Sequence, residues 1–93
     1  MKAFFLSGTS DLNQTISPLE LVDLPVQAPS SNEILIKVFC CGVCHTELDE
    51  IEGRTPPPQY PVIPGHQLIG RVKSMGSTAK RFEEGDRVGV AWI

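Results

Sequence analysis

The sequence predicts a mainly β fold, a small partial barrel, with one short helix near residues 45–52. Three observations predict it: apolar runs of strand length, frequent glycines and prolines between them, and a single segment with helix start and stop signals. Ninety-three residues allow one small domain with a thin hydrophobic core.

Five segments have the composition of strands. Residues 3–6 predict a first strand, and a second short strand is expected within residues 16–22. Residues 33–40 give the strongest signal, with apolar side chains on both alternating faces, so we expect this strand to be covered on both sides for part of its length. Residues 67–75 and 87–93 predict the remaining strands, joined by a turn region rich in glycine and acidic residues.

One segment, residues 45–52, predicts a helix. Thr46 is a candidate N-cap, acidic residues follow it where the helix dipole is positive, and Gly53 is a typical stop. Leu48 and Ile51 lie three positions apart and are expected to share the buried face.

Composition excludes several classes of function. The net charge is −3, the pI is about 5.2, and no basic run indicates a nucleic-acid partner. No apolar stretch approaches the roughly 20 residues that span a bilayer, so no membrane role is expected. Three cysteines, an odd number, argue against a closed disulfide framework and favour a reducing, cytoplasmic setting.

Two residues 22 positions apart, Cys44 and His66, suit a metal site. Thiolate and neutral imidazole are ligands that zinc prefers, and the sequence offers no fully convincing third or fourth ligand. This shortage favours a catalytic zinc site, since such sites keep an open position. The alternatives are a buried structural cysteine, a redox pair formed by Cys41 and Cys44, and a histidine with one ordinary hydrogen bond.

The motifs occur in a fixed order: Gly42-Val43-Cys44-His45-Thr46-Glu47-Leu48, then Gly53, then Pro61-x-x-Pro64-Gly65-His66, then Gly70, Gly76 and Ala79, and finally Gly85-Asp86-Arg87-Val88. This set resembles the zinc-dependent alcohol dehydrogenases of the medium-chain dehydrogenase/reductase superfamily. The resemblance covers essentially the whole chain. It implies that residues 1–93 are the N-terminal part of a GroES-like catalytic domain, a partial GroES-like β-barrel. The family's dinucleotide-binding domain is expected to be absent, because no Gly-x-Gly-x-x-Gly follows a strand here.

The resemblance also implies roles for individual residues. Cys44 and His66 would be metal ligands, and the helix start at Cys44 favours a thiolate. Thr46 would be the catalytic hydroxyl of a proton relay, and His45 would bind the cofactor's pyrophosphate. Trp92 would narrow the substrate pocket. The plainer interpretations stay open: a helix cap for Thr46, a solvated side chain for His45, and core packing for Trp92.

Two positions depart from the family pattern. Gln67 stands beside the ligand histidine, near the metal, where the family usually has glutamate. The amide keeps the shape of glutamate but loses its charge, which raises the effective charge of a nearby metal. Asp49 occupies the position where many relatives have a second relay histidine, so the route by which the proton leaves is open.

The parent enzyme implied by the resemblance oxidises alcohols to aldehydes or ketones, using zinc and NAD or NADP, and forms a homo-oligomer. The isolated segment is expected to be inactive, because it lacks the cofactor domain and a further family ligand. The alternative from another class is a non-catalytic GroES-like β-module that acts as an interaction or assembly unit. A zinc-free quinone reductase ranks last, because such relatives usually lack the cysteine and histidine pair.

Overall fold

The computed structural model describes residues 1–91, and these form five strands and one helix. The elements are β1 (Lys2–Phe5), β2 (Glu20–Asp23), β3 (Ile34–Gly42), α1 (His45–Glu52), β4 (Gln67–Met75) and β5 (Arg87–Val90). The mainly β fold with one short helix is thereby confirmed. The strands form a two-stranded and a three-stranded sheet, and neither closes into a barrel within the described residues.

The chain divides into two compact units. The first unit contains Met1–Pro25 and Val43–Gly65, and the second contains Val26–Gly42 and the chain from His66 onward. Each unit is therefore built from two separate stretches of sequence.

The first unit is held by a short antiparallel pair and by contacts from loops. β1 pairs with β2, which lies at the end of the segment predicted to hold it and extends one residue beyond that segment, to Asp23. Leu6, which follows β1, exchanges backbone hydrogen bonds of 2.8 and 3.0 Å with Val62 in the proline-rich loop. Its side chain is 0% exposed, so this bridge lies over the buried centre of the unit.

The helix α1 has the bounds that the sequence predicts, but its buried face is different. Ile51 is buried, whereas Leu48 is 39% exposed, so the prediction that both residues share the buried face is wrong. Glu47, four residues before Ile51, takes the second buried position. Successive helix residues turn by about 100°, which places Leu48 off the line through these two. No helix among the described residues has the length and apolar character needed to cross a membrane.

The second unit is a three-stranded antiparallel sheet in the order β3-β4-β5. β3 carries two register irregularities, and Val72 of β4 is buried, with 3% exposure. Both faces of β3 are half-buried at its start, over residues 34–36, which agrees with the expectation of cover for part of its length, whereas Val38 and Phe39 are 50% and 57% exposed.

One glycine after β4 is required by a close backbone approach. A Cβ atom on Gly76 would lie 1.9 Å from the Ser30 carbonyl oxygen. The Gly76 N–H donates to the Glu33 carbonyl at 2.8 Å, and the Thr78 hydroxyl donates to the Ser31 carbonyl at 2.7 Å. The turn after β4 is thereby fastened to the loop before β3.

Candidate metal and catalytic site

Cys44 is the N-cap of α1. Its backbone is extended, with φ −126° and ψ −172°, and the helix starts at the next residue. The prediction of Thr46 as the cap is wrong, because Thr46 already lies in the first helical turn. At the other end, Gly53 adopts φ 85°, the left-handed conformation that glycine accepts most readily.

Glu47 closes back onto the start of the helix. Its Oε2 accepts the Cys44 backbone N–H at 2.6 Å, and the Cys44 side chain faces the Glu47 backbone N–H in return. The two residues thus form a capping box, with cysteine in the place of the usual serine or threonine. This contact holds the thiol and the carboxylate at the same end of α1.

His66 directly precedes β4 and is half-buried. It follows Gly65, whose φ of 117° lies in a region that side-chain-bearing residues rarely adopt, and Pro64 restricts the chain just before it. Cys44, Glu47 and His66 form a group that could hold a metal ion, with one ligand atom from each lying within 4.8 Å of the others. Thiolate, carboxylate and imidazole are the three side-chain donors that zinc sites use.

Sequence reasoning missed Glu47 as a candidate ligand and gave it only a role at the helix dipole. The signal was present in the spacing, because a glutamate three residues after an N-cap reaches back toward that cap. The structure shows that the cap is also the candidate metal-binding cysteine, so the same contact brings a carboxylate to the thiol.

The other predicted site residues lie in different settings. Thr46 is half-buried on the first turn of α1, two positions after Cys44. Gln67 opens β4 opposite Gly42 of β3, and its Oε1 lies 3.4 Å from the place where a Cβ on Gly42 would stand. Trp92 lies outside the described residues, as does the end of the segment predicted as the last strand.

His45 lies at the exposed start of α1, where its side chain is 77% exposed. Its Nε2 is 3.5 Å from Oδ1 of Asp49, one helical turn later. The same Oδ1 accepts the Arg54 Nε–H at 2.6 Å, and Glu52 accepts from the Arg54 Nη2 at 2.9 Å. Hydrogen bonds to Asp49 first and Glu52 second raise the pKa of the Arg54 guanidinium. Asp49 is therefore an anchored carboxylate facing the His45 ring.

Comparison with known proteins finds one matching domain family and several similar relatives. The alcohol dehydrogenase GroES-like domain family matches residues 30–93. The chain is 37% identical over 83 residues to a probable cinnamyl alcohol dehydrogenase 9 from Oryza sativa subsp. japonica, a match that covers 89% of this chain and 22% of the relative. It is 44% identical over 77 residues to an alcohol dehydrogenase from Rhizobium meliloti (strain 1021), covering 82% of this chain and 23% of the relative.

A solved structure shows the same fold. The Escherichia coli quinone oxidoreductase complexed with NADPH matches with a TM-score of 0.85 and 25% identity, over 96% of this chain and 26% of that one. The chain thus spans less than a quarter of the length of the two curated relatives. Since the family match covers more than half of its residues, the chain belongs to the alcohol dehydrogenase GroES-like domain family.

Proposed function

We propose that this chain is the N-terminal catalytic-domain segment of a zinc-dependent alcohol dehydrogenase that oxidises alcohols to aldehydes or ketones with NAD or NADP. The observation that carries the proposal is the grouping of Cys44, Glu47 and His66, in a chain whose family is that of the alcohol dehydrogenases. The segment alone is proposed to be inactive, because the sequence contains no nucleotide-binding glycine motif.

The donor set favours zinc over harder cations. Cys44 and His66 would hold the ion as thiolate and imidazole, and the Glu47 carboxylate lies within reach as a third group. Magnesium and calcium prefer oxygen ligands throughout, so a thiolate at this place argues against them. When bound, zinc supplies Lewis acidity that makes an alcohol hydroxyl more acidic.

Thr46 is proposed as the catalytic hydroxyl. It lies on the first turn of α1, two positions after Cys44, and is half-buried. A hydroxyl accepts one proton and donates another, so it can take the proton of an alcohol and pass its own proton onward.

His45 is proposed to bind the cofactor's pyrophosphate. The ring is exposed at the N-terminal end of α1, where phosphate groups are favoured by the helix dipole. In the doubly protonated ring, Nε2–H faces the Asp49 carboxylate at 3.5 Å and Nδ1–H can donate to a phosphate oxygen.

Gln67 and Trp92 are proposed to adjust the site. The neutral Gln67 amide next to His66 leaves Glu47 as the carboxylate of the ligand group, so the net negative charge around the ion is lower than with a glutamate at 67. Trp92 is proposed to narrow the substrate pocket. The proposed substrates are small alcohols or aldehydes. The proposed setting is a homo-oligomer in the cytoplasm, where a thiolate stays reduced.

A second candidate function is a non-catalytic GroES-like module. Its basis is that a fold by itself does not fix a function, so a GroES-like domain can also act as an interaction or assembly unit. The presence of Cys44, Thr46 and His66 together argues against this alternative. A module with only an assembly role does not need two zinc-type donors and a nearby hydroxyl.

Elemental analysis of the purified protein tests the metal proposal. We compare the wild type with the Cys44→Ser/His66→Ala double variant, and use Cys41→Ser as a matched control because Cys41 is exposed on β3. We expect zinc in the wild type and the control but not in the double variant. Loading with Co²⁺ should give a thiolate-to-cobalt absorption band that the double variant lacks.

Equal metal in the double variant, or cobalt bound with no thiolate band, would contradict the assignment. Far-ultraviolet circular dichroism on each protein separates loss of metal from loss of fold.

A further inference from the structure

The sheet of the second unit places three cations side by side. Lys37 of β3 pairs with Arg71 of β4, and Arg71 pairs with Arg87 of β5. Side chains of directly opposed residues lie on the same face of an antiparallel sheet. All three residues are exposed, so they form a continuous cationic row across the sheet.

The row carries a large share of the chain's positive charge. The row and Lys73, which is left unpaired at the register shift between Val72 and Ser74 of β4, together hold four of the eight lysines and arginines. The whole chain has a net charge of −3, so this cluster of positive charges is opposite in sign to the net charge of the chain. The pattern was invisible in the sequence, because the row is assembled from residues as much as 50 positions apart.

None of the three residues of the cationic row forms an ion pair with another residue in the part of the chain that is described; the cations of the ion pairs there are Met1, His45 and Arg54. Like charges directly opposite each other destabilise a sheet. Arg71 is nevertheless held in place, because its Nη1 donates to the Gly85 carbonyl at 2.9 Å. An anion lying across the row would relieve two cross-strand repulsions at once.

The spacing of the row selects the kind of anion. Directly opposed side chains lie about 5 Å apart, so three strands present charges over about 10 Å. Acidic residues at i, i+4 and i+7 on one face of a helix are also about 5–6 Å apart. The linked phosphates of a nucleotide lie closer together than neighbouring strands. A long nucleic acid extends beyond the row and meets a chain of net negative charge.

An apolar contact lies next to the charges. Ile69 is on the same face of β4, two residues before Arg71, and is 39% exposed. Its partner on β5 is Gly89, which has no side chain to cover it. The methylene stems of glutamates in a docked helix can pack on Ile69 while their carboxylates reach the cations.

We propose that the cationic row formed by Lys37, Arg71 and Arg87 is a docking surface for an acidic helical segment of a partner protein. The proposal is independent of the metal site and of the dehydrogenase function, because all of its residues lie in the second unit and none is a candidate ligand.

Calorimetric titration at low salt tests the proposal. The probe is a synthetic alanine-based helical peptide with glutamates at i, i+4 and i+7, beside the same peptide with glutamines. The variant is Lys37→Gln/Arg71→Gln/Arg87→Gln, and the matched control is Lys2→Gln/Lys80→Gln/Arg81→Gln, which removes three exposed charges elsewhere. We expect the triple variant to weaken binding at least about tenfold, at roughly two- to fivefold per charge, and the control to stay within about twofold.

Equal weakening by the control variant would overturn the proposal, as would equal binding of the glutamine peptide. So would tighter binding of a single-stranded oligonucleotide through the same three residues, because the surface would then serve nucleic acid. If Arg71→Gln unfolds the sheet by losing the Gly85 contact, the Lys37→Gln/Arg87→Gln double variant makes the same test, with an expected loss of at least about fourfold.

Discussion

The two units of the chain differ in charge, in regularity and in what they hold. The first unit has seven acidic residues against two lysines or arginines, and the second has four against six. The first contains eight strand residues and the helix, whereas the three-stranded sheet of the second contains 22 strand residues and no helix lies in its described part. Cys44, Thr46 and Glu47 lie in the first unit, at the start of its helix.

This difference follows from what a helix start and a sheet interior can each position. A helix start leaves backbone N–H groups unpaired, so it can position a thiol and a carboxylate through a capping box. A sheet interior has its backbone groups paired and offers only the direction of its side chains. The first unit accordingly gathers different donor types at one point, and the second spreads one charge type along a row.

The largest effect is expected from the close approach in the second unit. Gly76→Ala would force a Cβ to within 1.9 Å of the Ser30 carbonyl oxygen and 2.4 Å of Ser31 backbone atoms. Because both neighbours are backbone, we expect a loss of about 3 kcal/mol or more in the free energy of unfolding, measured by urea denaturation. Gly8→Ala in the first unit is the control, since nothing lies within 4 Å of its added Cβ. Comparable losses for the two variants would show that the turn after β4 moves aside freely.

Side-chain packing should matter most in the first unit. Leu6→Ala removes a fully buried side chain, and we expect the free energy of unfolding to fall by about 2–5 kcal/mol. Ile16→Ala, at a residue 94% exposed, should change it by less than about 0.5 kcal/mol. Chemical denaturation of both variants measures the difference. A cost for Leu6→Ala as small as that for Ile16→Ala would mean that the first unit has no packed centre.

The capping box links the stability of α1 to the proposed metal site. Glu47→Gln removes the charge from a buried side chain that accepts the Cys44 N–H. We expect the free energy of unfolding, measured by thermal denaturation, to fall by about 1 kcal/mol. We also expect zinc affinity to fall by about tenfold in competition with a chelator. Glu50→Gln, a half-buried glutamate on the same helix, is the control for charge alone. Unchanged zinc affinity in Glu47→Gln would show that the Glu47 carboxylate caps the helix without contributing to zinc binding.

The smallest effect concerns acid titration in the second unit. The Ser30 hydroxyl, and then the Ser30 backbone N–H at 3.1 Å, hold the pKa of Glu33 below its ordinary value of 4.5. A carboxyl with a lowered pKa stabilises the folded state above its unfolded pKa, and that contribution is lost as pH falls through the folded value. NMR titration of the Glu33 carboxyl should show a midpoint below 4.5 in the wild type, raised but not fully restored in Ser30→Ala. An unchanged midpoint in Ser30→Ala would show that the Ser30 hydroxyl does not lower the pKa of Glu33.

Much of the fold follows from local patterns. The bounds of α1 and β4 agree with the sequence prediction, because a helix stop glycine and an alternating strand are properties of neighbouring residues. β2 is the short strand expected within residues 16–22, displaced to the end of that segment, because its bounds depend on its pairing with β1. The buried face of α1 was misjudged, because hydrophobicity favours Leu48 while the capping contact turns Glu47 inward.

For the candidate site, the sequence by itself indicated two candidate donors, Cys44 and His66, through their residue types and local setting. Only the tertiary structure decided that Glu47 joins them and that Lys37, Arg71 and Arg87 stand in one row. The physical reason is the same in both cases. Residue type and spacing fix local conformation, whereas the proximity of distant residues depends on strand register and on how the chain closes on itself.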